Sequence, residues 1–525
     1  MLAYDPAVSL GPAAPRLVRR VSIANLGCKV NQAEMDDVER LLRARGVELV
    51  GGREPADLVV VNTCTVTAVA DRKSRQAVRR ARRSNPAGQV LVTGCSVAVD
   101  RESLAGADPA ARLYDNNSKN RLLADLAEMV EVPDGAATPT ISGPDRASER
   151  GTVPAVRPGR GPAFELETEE GSVEDQFGDR ADIDRTRAYV KIQDGCSFHC
   201  TYCIIPRARG PERSLAPDTV LAAVGSAVAA GHREVVLTGI NAGTYDGTSS
   251  GEEGERPLRL PGLVRRILAE TNVERIRLSS IEPQHLSDEL LDVWVGSAGR
   301  CLPHFHVPLQ SGDDAILRRM GRRYDTNSYA DLAARVRRAM PNAAVHADLI
   351  VGFPGEDEAS WARTATFLRT LDLAGIHVFR YSARPGTPAA RMVGQVDAGT
   401  KKRRAAEALA LATAARASFA AQQLGGEMVV LFERPLADGR WLGHAENHVL
   451  VATAPPDGGS LGNAIGTVRA EGIDPAAADR VVGHLLAVGR GRLASCRRPA
   501  SHEWGATHAQ RVLPFAEPLA CAARK

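Results

Sequence analysis

The sequence predicts a multidomain α/β protein in three folded parts, and three observations support this prediction. Short apolar runs alternate with amphipathic helical segments in two separate stretches, which is typical of parallel sheets with helical crossovers. Between them, residues 133–185 are rich in Pro, Gly, Ser and charge and show almost no periodicity. Near the C-terminus the pattern changes to closely spaced short strands. A chain of 525 residues is also longer than one hydrophobic core usually serves.

The first part, residues 19–132, is predicted to be a small α/β domain with a mostly parallel sheet. Its strand-like segments VSIANLG, DLVVVNTC and QVLVTGC are separated by helical segments such as QAEMDDVERLLRARG. Residues 1–18 lack this pattern and are predicted to be a disordered tail. Residues 133–185 carry too little apolar surface to offset the conformational entropy of folding, so we expect a flexible linker or insertion.

The central part, residues 186–418, contains six strand-like segments, from AYVKIQ to IHVFRYS, separated by helical segments. Six consecutive β/α units predict a parallel barrel, complete or partial. In such folds the chemistry takes place at the carboxyl ends of the strands. Candidate functional residues are therefore expected where these strands end.

The C-terminal part, residues 424–489, follows an Ala-rich helical segment and is predicted to be a small β-barrel. The segment MVVLFERPLADGRWLGHAENHVLVATA contains two or more short strands, with Asp438 and Gly439 at a hairpin turn. A closed or nearly closed sheet of this size can still bury a core. Residues 490–525 are predicted to be a tail.

Composition limits the classes of protein that the chain can represent. It is 44% hydrophobic and 25% charged, which is ordinary for a water-soluble globular protein. We expect a cytoplasmic location without a membrane partner, because no apolar run could cross a bilayer and no secretory signal precedes the first domain. Nine cysteines in a reducing compartment argue against a disulfide framework and favour metal or redox chemistry. The net charge of +3 is too small to indicate a nucleic-acid-binding protein by itself.

Three cysteines with the spacing CxxxCxxC, Cys196, Cys200 and Cys203, directly follow the first strand of the central part. A tetrahedral zinc ion would need a fourth ligand, which His199 inside the motif could supply. A 4Fe-4S cluster held by three thiolates would instead keep one iron free of protein ligands, where a cofactor can bind and react. The spacing alone leaves both alternatives open.

Three further cysteines, Cys28, Cys64 and Cys95, lie at or just beyond the ends of predicted strands in the N-terminal part. The strand ends of a parallel sheet share one edge, so these residues can meet although they are far apart in sequence. They could also be three unrelated buried thiols, since free cysteine is a common core residue. Their flanking Gly, Asn and Thr residues favour a second three-thiolate cluster.

The motifs LGCKVN, NTCTVT, VKIQDGC, RIRLSSIEP, PLQSGDD, DLIVGFPGE and YSARPGTPAA occur in this order. The chain thereby resembles the methylthiotransferase family of radical S-adenosylmethionine enzymes, over about Val21 to Val132 and Ala188 to Leu486. The resemblance implies a radical S-adenosylmethionine barrel and a C-terminal RNA-binding TRAM domain. Within the family the motifs are most similar to the branch that acts on N6-threonylcarbamoyladenosine in transfer RNA.

The resemblance also implies an activity, cofactors and partners. The enzyme would insert sulfur and a methyl group at C2 of the adenine next to the anticodon. Cys196, Cys200 and Cys203 would hold the 4Fe-4S cluster that binds S-adenosyl-L-methionine. A second, auxiliary 4Fe-4S cluster, which carries the sulfur, would be held by Cys28, Cys64 and Cys95. The implied partners are transfer RNA, a protein that donates electrons and a sulfur donor, with neither a membrane nor DNA involved.

Two sets of alternatives accompany this interpretation. Sibling enzymes of the family act on isopentenyl-modified adenosine of transfer RNA or on an aspartate of a ribosomal protein. From a different class, the protein could be a zinc-holding RNA-binding factor without catalysis. The metal bound after anaerobic purification distinguishes these classes: about four irons per cysteine trio indicate the enzyme, and zinc indicates the binding factor.

Polar residues that end the central strands are candidates for binding the ribose and amino-acid parts of the cofactor. These candidates are Ser279, Ser280, Glu282, Gln310 and Ser311. They could equally cap helices or satisfy loop backbone. Asn241 stands where close relatives of this family are expected to have histidine, so it is assigned no role, and no catalytic residue is assigned.

A basic helix in the N-terminal part, the segment DRKSRQAVRRARRS at residues 71–84, offers a phosphate-binding surface. A solvated basic helix is the simpler explanation of such a run. The remaining cysteines, Cys301, Cys496 and Cys521, form no ligand pattern and are expected to be bystanders.

Overall fold

The structure is a computed structural model that describes residues 18–52, 54–130, 186–247 and 257–489. The predicted linker 133–185, the predicted tail 490–525 and nearly all of the predicted tail 1–18 lie outside the described residues, as do Cys496 and Cys521. Val18 is described: it is buried and forms an isolated parallel bridge with Val130.

The N-terminal domain is a five-stranded, fully parallel sheet with the strand order β2-β1-β3-β4-β5, as the sequence predicted. Its strands are β1 (Arg20–Asn25), β2 (Glu48–Val50), β3 (Leu58–Thr63), β4 (Gln89–Gly94) and β5 (Arg112–Tyr114). Its helices are α1 (Lys29–Ala44), α2 (Ala68–Ser84), α3 (Cys95–Val99), α4 (Arg101–Ala107) and α5 (Lys119–Met129). Helices cover both faces, so the central strand β3 is buried along its whole length.

The central domain is a curved arrangement of parallel strands that forms a partial barrel, which confirms the predicted fold. Its six barrel strands are β6 (Arg187–Lys191), β9 (Glu234–Thr238), β12 (Arg275–Leu278), β13 (His304–His306), β14 (Ala344–Val351) and β15 (Gly375–Arg380). Four short strands form two separate antiparallel pairs, β7 (Gln193–Asp194) with β8 (Arg213–Ser214) and β10 (Asp246–Gly247) with β11 (Leu258–Arg259). Two parallel three-stranded sheets, β12-β9-β6 and β13-β14-β15, are linked by the isolated bridges Ile276 with Cys301 and Ser280 with His306. The six strands therefore follow one another around the barrel.

Helices surround the outside of these strands and supply the apolar core between the two layers. They are α6 (Ile205–Arg209), α7 (Pro217–Ala229), α8 (Leu260–Glu270), α9 (Asp288–Gly296), α10 (Asp314–Met320), α11 (Thr326–Ala339), α12 (Glu358–Thr370) and α13 (Ala398–Ala421). Cys301, expected to be a bystander, is buried in this core. Among the described residues, no helix combines the length and the apolar character that crossing a bilayer requires.

The C-terminal domain is a closed five-stranded barrel with the order β16-β17-β18-β20-β19. Its strands are β16 (Glu427–Pro435), β17 (Trp441–Ala445), β18 (Leu450–Thr453), β19 (Ile465–Ile473) and β20 (Arg480–Val488). The predicted hairpin turn is present, because Leu436 N–H donates to the Arg440 carbonyl at 2.7 Å. Closure leaves no free sheet edge, which lets a small domain retain a core.

Buried charged residues connect the central domain to both of its neighbours. Arg275 and Arg277 share the buried carboxylate of Glu234, and Arg275 also donates to the carbonyls of Val429 and His444 in the C-terminal barrel. On the other side, helix α1 of the N-terminal domain packs against β6. The strand ends of the N-terminal sheet thus face the strand ends of the central domain.

Candidate metal and cofactor site

The CxxxCxxC loop lies between β7 and α6 and is held by backbone contacts on both sides. The N–H of Thr201 donates to the Met320 carbonyl at 2.9 Å, and the Thr201 carbonyl accepts from Ala389 N–H at 2.9 Å. Gly195, which precedes Cys196, has a φ of +72°, and a Cβ there would lie 1.9 Å from the Pro211 carbonyl oxygen. The start of the loop therefore requires glycine.

Cys196, Cys200 and Cys203 are partly buried and lie within electrostatic reach of one another. Burial raises the pKa of the Cys196 thiol to about 11 and that of Cys203 to about 12. Isolated thiolates are therefore disfavoured here, and a bound metal would supply the positive charge that stabilises them. The environment fits a metal-ligand group better than a set of free catalytic thiols.

The two metals considered for this loop need different spacings of the sulfur atoms. Ligands of one zinc ion would lie about 3.8 Å apart at Zn–S distances of about 2.3 Å. A 4Fe-4S cluster binds each sulfur at a different iron, so it needs more widely spaced sulfurs. His199, the fourth ligand considered for zinc, is exposed.

The other trio lies at the carboxyl edge of the N-terminal sheet, where its three strands end. Cys64 directly follows β3, Cys95 directly follows β4, and Cys28 follows β1. The Cys28 thiol is within electrostatic reach of Cys95, and a Cβ added to Gly27 would lie 3.3 Å from the Cβ of Cys64. The structure therefore brings the three residues together, although 36 and 31 positions separate them along the chain.

Two buried arginines, which the sequence analysis did not single out, each contact one of the trios. Arg209 at the end of α6 donates from Nε to Sγ of Cys95 at 3.3 Å. Arg322 after α10 donates from Nη1 to Sγ of Cys200 at 3.3 Å and pairs with the Glu282 carboxylate. Each guanidinium places a permanent positive charge beside a sulfur that a cluster would hold as thiolate.

Arg209 belongs to a buried network of charges that joins the two domains. Its Nη1 lies 3.0 Å from Glu34 of α1 and 2.9 Å from Asp194 of β7. Lys119 and Lys191 also pair with Glu34. Burial alone would raise the pKa of Glu34, but these cations hold it well below its usual range. The network fixes the CxxxCxxC loop relative to the N-terminal sheet.

The predicted cofactor-binding residues differ in how they are used. The Ser279 hydroxyl is buried without a hydrogen-bond partner among the described residues, whereas the Ser311 hydroxyl accepts from Asp313 N–H and lies near Thr364. Glu282 carries the ion pair with Arg322, Ser280 forms the bridge that joins β12 to β13, and Gln310 has a φ of +68°. Ser279 and Glu282 thus retain polar groups for a ligand, while Ser311 stabilises its own loop.

Asn241 at the end of β9 also has unused polar atoms. Both its side-chain nitrogen and its side-chain oxygen are buried without a partner among the described residues. Unpaired buried amide atoms carry a free-energy cost that a polar ligand would remove. The sequence analysis assigned this residue no role, and only the burial seen in the structure indicates one.

Comparisons with known proteins agree with this geometry. Residues 20–114 match the model of Uncharacterized protein family UPF0004, and residues 190–368 match that of the Radical SAM superfamily. The threonylcarbamoyladenosine tRNA methylthiotransferase MtaB of Bacillus subtilis is 35% identical over 82% of this chain and 89% of that protein. A tRNA-2-methylthio-N(6)-dimethylallyladenosine synthase of Maricaulis maris is 30% identical over 86% of this chain and 95% of that protein.

A solved structure, the radical S-adenosylmethionine methyltransferase TsrM of Kitasatospora setae, is a more distant likeness. It is 17% identical, covers 71% of this chain and 74% of that chain, and has a TM-score of 0.47.

A partial parallel barrel with a three-cysteine loop after its first strand defines a radical S-adenosylmethionine protein, and the match over residues 190–368 agrees. This class implies a 4Fe-4S cluster and S-adenosylmethionine as cofactors. Identity of 30 to 35% over most of the chain narrows the class further. The chain belongs to the methylthiotransferase family of radical S-adenosylmethionine enzymes.

Proposed function

We propose that this protein is a tRNA methylthiotransferase that inserts sulfur and a methyl group at C2 of N6-threonylcarbamoyladenosine, using two 4Fe-4S clusters. Relatives from Bacillus subtilis, Chlamydia pneumoniae and Rickettsia prowazekii carry the name threonylcarbamoyladenosine tRNA methylthiotransferase, which supports this substrate. The observation that carries the proposal is the Arg209–Cys95 contact at 3.3 Å, which links the helix after CxxxCxxC to the second trio.

The target C–H bond of an adenine has neither an acidic proton nor a leaving group, so acid–base catalysis alone cannot activate it. A 4Fe-4S cluster with bound S-adenosylmethionine supplies a carbon-centred radical that can remove such a hydrogen atom. The protein then has to bind, orient and shield the reacting groups. Cys196, Cys200 and Cys203 would hold the cluster that binds the cofactor.

The second trio would hold the auxiliary cluster that carries the sulfur. Cys28, Cys64 and Cys95 provide three sulfur ligands and leave one coordination position for an exogenous ligand. Arg209 would stabilise the Cys95 thiolate by a charge-assisted hydrogen bond and keep the two sites at a constant separation.

Polar groups at the strand ends would bind S-adenosylmethionine. Ser279 and Asn241 have buried atoms without partners among the described residues, and Glu282 can accept from an amino group while Arg322 balances its charge. Burial raises the pKa of Glu282, and Arg322 opposes this rise. Gln310 and Ser280 lie on the same edge of the barrel, and Ser311 would support their loop.

Transfer RNA would bind across helix α2 and the C-terminal barrel. Arg72, Arg79 and Arg83 are exposed on α2, whereas Arg75 and Arg82 pair with Asp100 and Asp108. The exposed arginines offer a surface for phosphates near the second trio. The cytoplasmic location, the electron-donor protein and the sulfur donor remain parts of this proposal.

Mass spectrometry of transfer RNA nucleosides tests the proposal directly. Cells that lack this protein should accumulate N6-threonylcarbamoyladenosine without the 2-methylthio group. The wild-type gene should restore the 2-methylthio group, whereas a gene that encodes Cys196→Ala should not. Loss of methylthiolated isopentenyladenosine, or of the modified ribosomal-protein aspartate, would identify a sibling activity instead. A colourless protein that contains zinc after anaerobic purification would favour the RNA-binding factor.

A further inference from the structure

A group of polar side chains lines the inside of the partial barrel, where apolar residues usually fill the space. His306 of β13 and His377 of β15 flank Asp348 of β14 and bond to the same carboxylate oxygen. The distances are 2.7 Å from His306 Nε2 and 3.2 Å from His377 Nδ1. Their side chains are 13%, 18% and 30% exposed for His306, Asp348 and His377, so they border open space.

Lys29 adds a positive charge to this group from the N-terminal domain. It is the first residue of α1, and its ammonium lies within electrostatic reach of Asp348 and His306. Among the described residues, no carboxylate lies within ion-pair distance of this ammonium. We call Lys29, His306, Asp348 and His377 the lumen group.

The lumen group adjoins both cysteine trios. Lys29 directly follows Cys28 in the chain. Asp348 is within electrostatic reach of Glu282, whose partner Arg322 contacts Cys200. A substrate base bound beside both trios would therefore have the lumen group among its neighbours.

The surroundings of the lumen group favour an anionic or polar ligand over a metal cation. Arg187 and Arg277 lie within electrostatic reach of Lys29, and Arg277 shares the carboxylate of Glu234 with Arg275. A cation placed beside these residues would be repelled. The ligand atoms of His306, Asp348 and His377 all lie within 4.8 Å of one another, so a metal ion is the alternative occupant that the test below has to distinguish.

The two imidazole rings can accept hydrogen bonds from a ligand. Because Asp348 accepts from His306 Nε2 and His377 Nδ1, the opposite ring nitrogens are available in the neutral tautomers. Burial lowers the pKa of His306, and Asp348 only partly opposes this, which favours its neutral ring. The group therefore combines one cationic donor with two acceptors.

We infer that the lumen group is the subsite for the threonylcarbamoyl substituent on N6 of the substrate adenosine. Lys29 pairs with the carboxylate of the substituent, and His306 and His377 accept hydrogen bonds from its hydroxyl and N–H groups. This inference rests on the proposed function and deepens it by naming the residues that select the substrate.

Such a subsite would also reject an isoprenoid substituent. An apolar chain would leave the ammonium of Lys29 and the imidazole nitrogens without water or partners. Sites that hydrogen-bond a polar substrate group discriminate strongly against analogues that lack it. The lumen group would thus distinguish threonylcarbamoyladenosine from isopentenyladenosine.

The test compares anticodon stem-loops that differ only in the substituent, bound to the anaerobic holoenzyme and followed by fluorescence anisotropy. The stem-loops carry threonylcarbamoyladenosine, its methyl ester or unmodified adenosine. We expect the wild type to bind the acid at least about tenfold more tightly than the ester. Lys29→Met should reduce this preference to about twofold or less, whereas Lys402→Met, which changes an exposed lysine on α13, should retain it. His377→Phe should instead weaken the binding of acid and ester alike, because both retain the hydroxyl and N–H groups.

Several outcomes would overturn the inference. Equal binding of acid and ester by the wild type would exclude carboxylate recognition, and so would a Lys29→Met variant that keeps the wild-type preference. A His377→Phe variant that binds both stem-loops as tightly as the wild type would exclude the hydrogen bonds assigned to the imidazole. A divalent metal beyond the cluster iron, present in the wild type and lost in His377→Phe, would identify a metal site instead. Iron content and 5'-deoxyadenosine release verify that each variant retains its clusters.

Failure of the proposed function is distinguishable from failure of the inference. A wild-type enzyme that does not methylthiolate threonylcarbamoyladenosine transfer RNA contradicts the proposed function. A wild type that does so, with variants whose KM for the acid is unchanged, contradicts only the assignment of the subsite.

Discussion

The Nε of Arg209 lies 3.3 Å from the Sγ of Cys95, although 114 positions separate the two residues along the chain. The same guanidinium pairs with Glu34 and Asp194, and its side chain is fully buried. One residue thus joins the cysteine-containing edge of the N-terminal sheet to the loop that carries the other cysteine trio.

Replacing Arg209 with methionine should destabilise the protein strongly. The change removes the guanidinium that pairs with both Glu34 and Asp194, while Lys191 remains beside the two carboxylates. We therefore expect a loss at the lower end of the about 3 to 5 kcal/mol that breaking a buried ion pair costs. The midpoint of urea unfolding measures this loss. Arg213→Met is the matched control, because Arg213 is 45% exposed and lies 3.9 Å from Asp194. Equal midpoints for the two variants would contradict a structural role of the Arg209 network.

Gly195→Ala should disrupt the CxxxCxxC loop. The new Cβ would lie 1.9 Å from the Pro211 carbonyl oxygen, and the φ of +72° disfavours a residue with a side chain. We expect less iron per chain after anaerobic purification and a lower melting temperature. Gly225→Ala in α7 is the control, because a Cβ there meets no atom within 4 Å and should stabilise the helix by about 0.5 to 1 kcal/mol. Normal iron content in Gly195→Ala would show that the loop tolerates the change.

The parts of the molecule that depend on local pattern could be predicted from the sequence. Alternating strands and helices predicted both α/β domains, and the parallel sheet follows from that alternation, which also predicted that Cys28, Cys64 and Cys95 would meet at one edge. The Arg209–Cys95 contact could not be predicted, because it depends on how two domains pack. The only sign of Arg209 in the sequence is its place in the segment PRARG, residues 206–210, shortly after the CxxxCxxC motif. That position alone does not indicate a contact with Cys95.

The lumen group could not be predicted from the sequence either, because it also depends on how distant parts of the fold come together. His306, Asp348 and His377 come from three strands, and each could have been a residue of the barrel core or of the outer surface. Only the curvature of the sheet and the inward orientation of these positions bring them together. Asn241 was left without a role because its type differs from that expected in relatives, whereas its unpaired buried atoms depend on the folded environment.

Glu234→Gln should weaken the attachment of the C-terminal barrel in a pH-dependent way. Burial alone would raise the pKa of Glu234, but Arg277 and Arg275 lower it far below its ordinary value. At pH 7 the free energy of unfolding of the variant should be about 3 to 5 kcal/mol lower than that of the wild type, since two buried guanidiniums would lack a counter-charge. Urea unfolding of both proteins between pH 7 and about 3 measures the difference.

The sign of this pH dependence follows from the lowered pKa. The contribution of the Glu234 carboxylate to stability is complete above the unfolded pKa of about 4.3 and decreases as the pH falls toward the folded value. The difference in the free energy of unfolding between wild type and Glu234→Gln should therefore become smaller below about pH 5. Glu274→Gln, at a partly exposed pair with Arg233, should cost about 1 kcal/mol or less. A constant difference down to pH 3 would contradict the assignment.

Alanine substitutions in the two trios should separate two steps of the proposed reaction. Cys196→Ala should abolish 5'-deoxyadenosine release and leave transfer RNA binding nearly unchanged. Cys64→Ala should still cleave S-adenosylmethionine but fail to insert sulfur, and each variant should lose about four irons per chain. Liquid chromatography with mass spectrometry and a gel-shift assay measure these products. Normal methylthiolation by Cys64→Ala would refute the auxiliary cluster.

Charge removal on helix α2 should weaken transfer RNA binding without affecting the clusters. Arg72, Arg79 and Arg83 are exposed, so their replacement by glutamine removes positive charge from the surface proposed to contact RNA and leaves the buried face of the helix intact. The slope of log K against log salt should fall by about 0.7 to 0.9 for each phosphate that the variant no longer neutralises. Gel-shift titrations at several salt concentrations give this slope. The same substitution at Arg265, an exposed residue of α8 on the central domain, is the control. If both sets bind transfer RNA with the same slope, α2 is only a solvated basic helix.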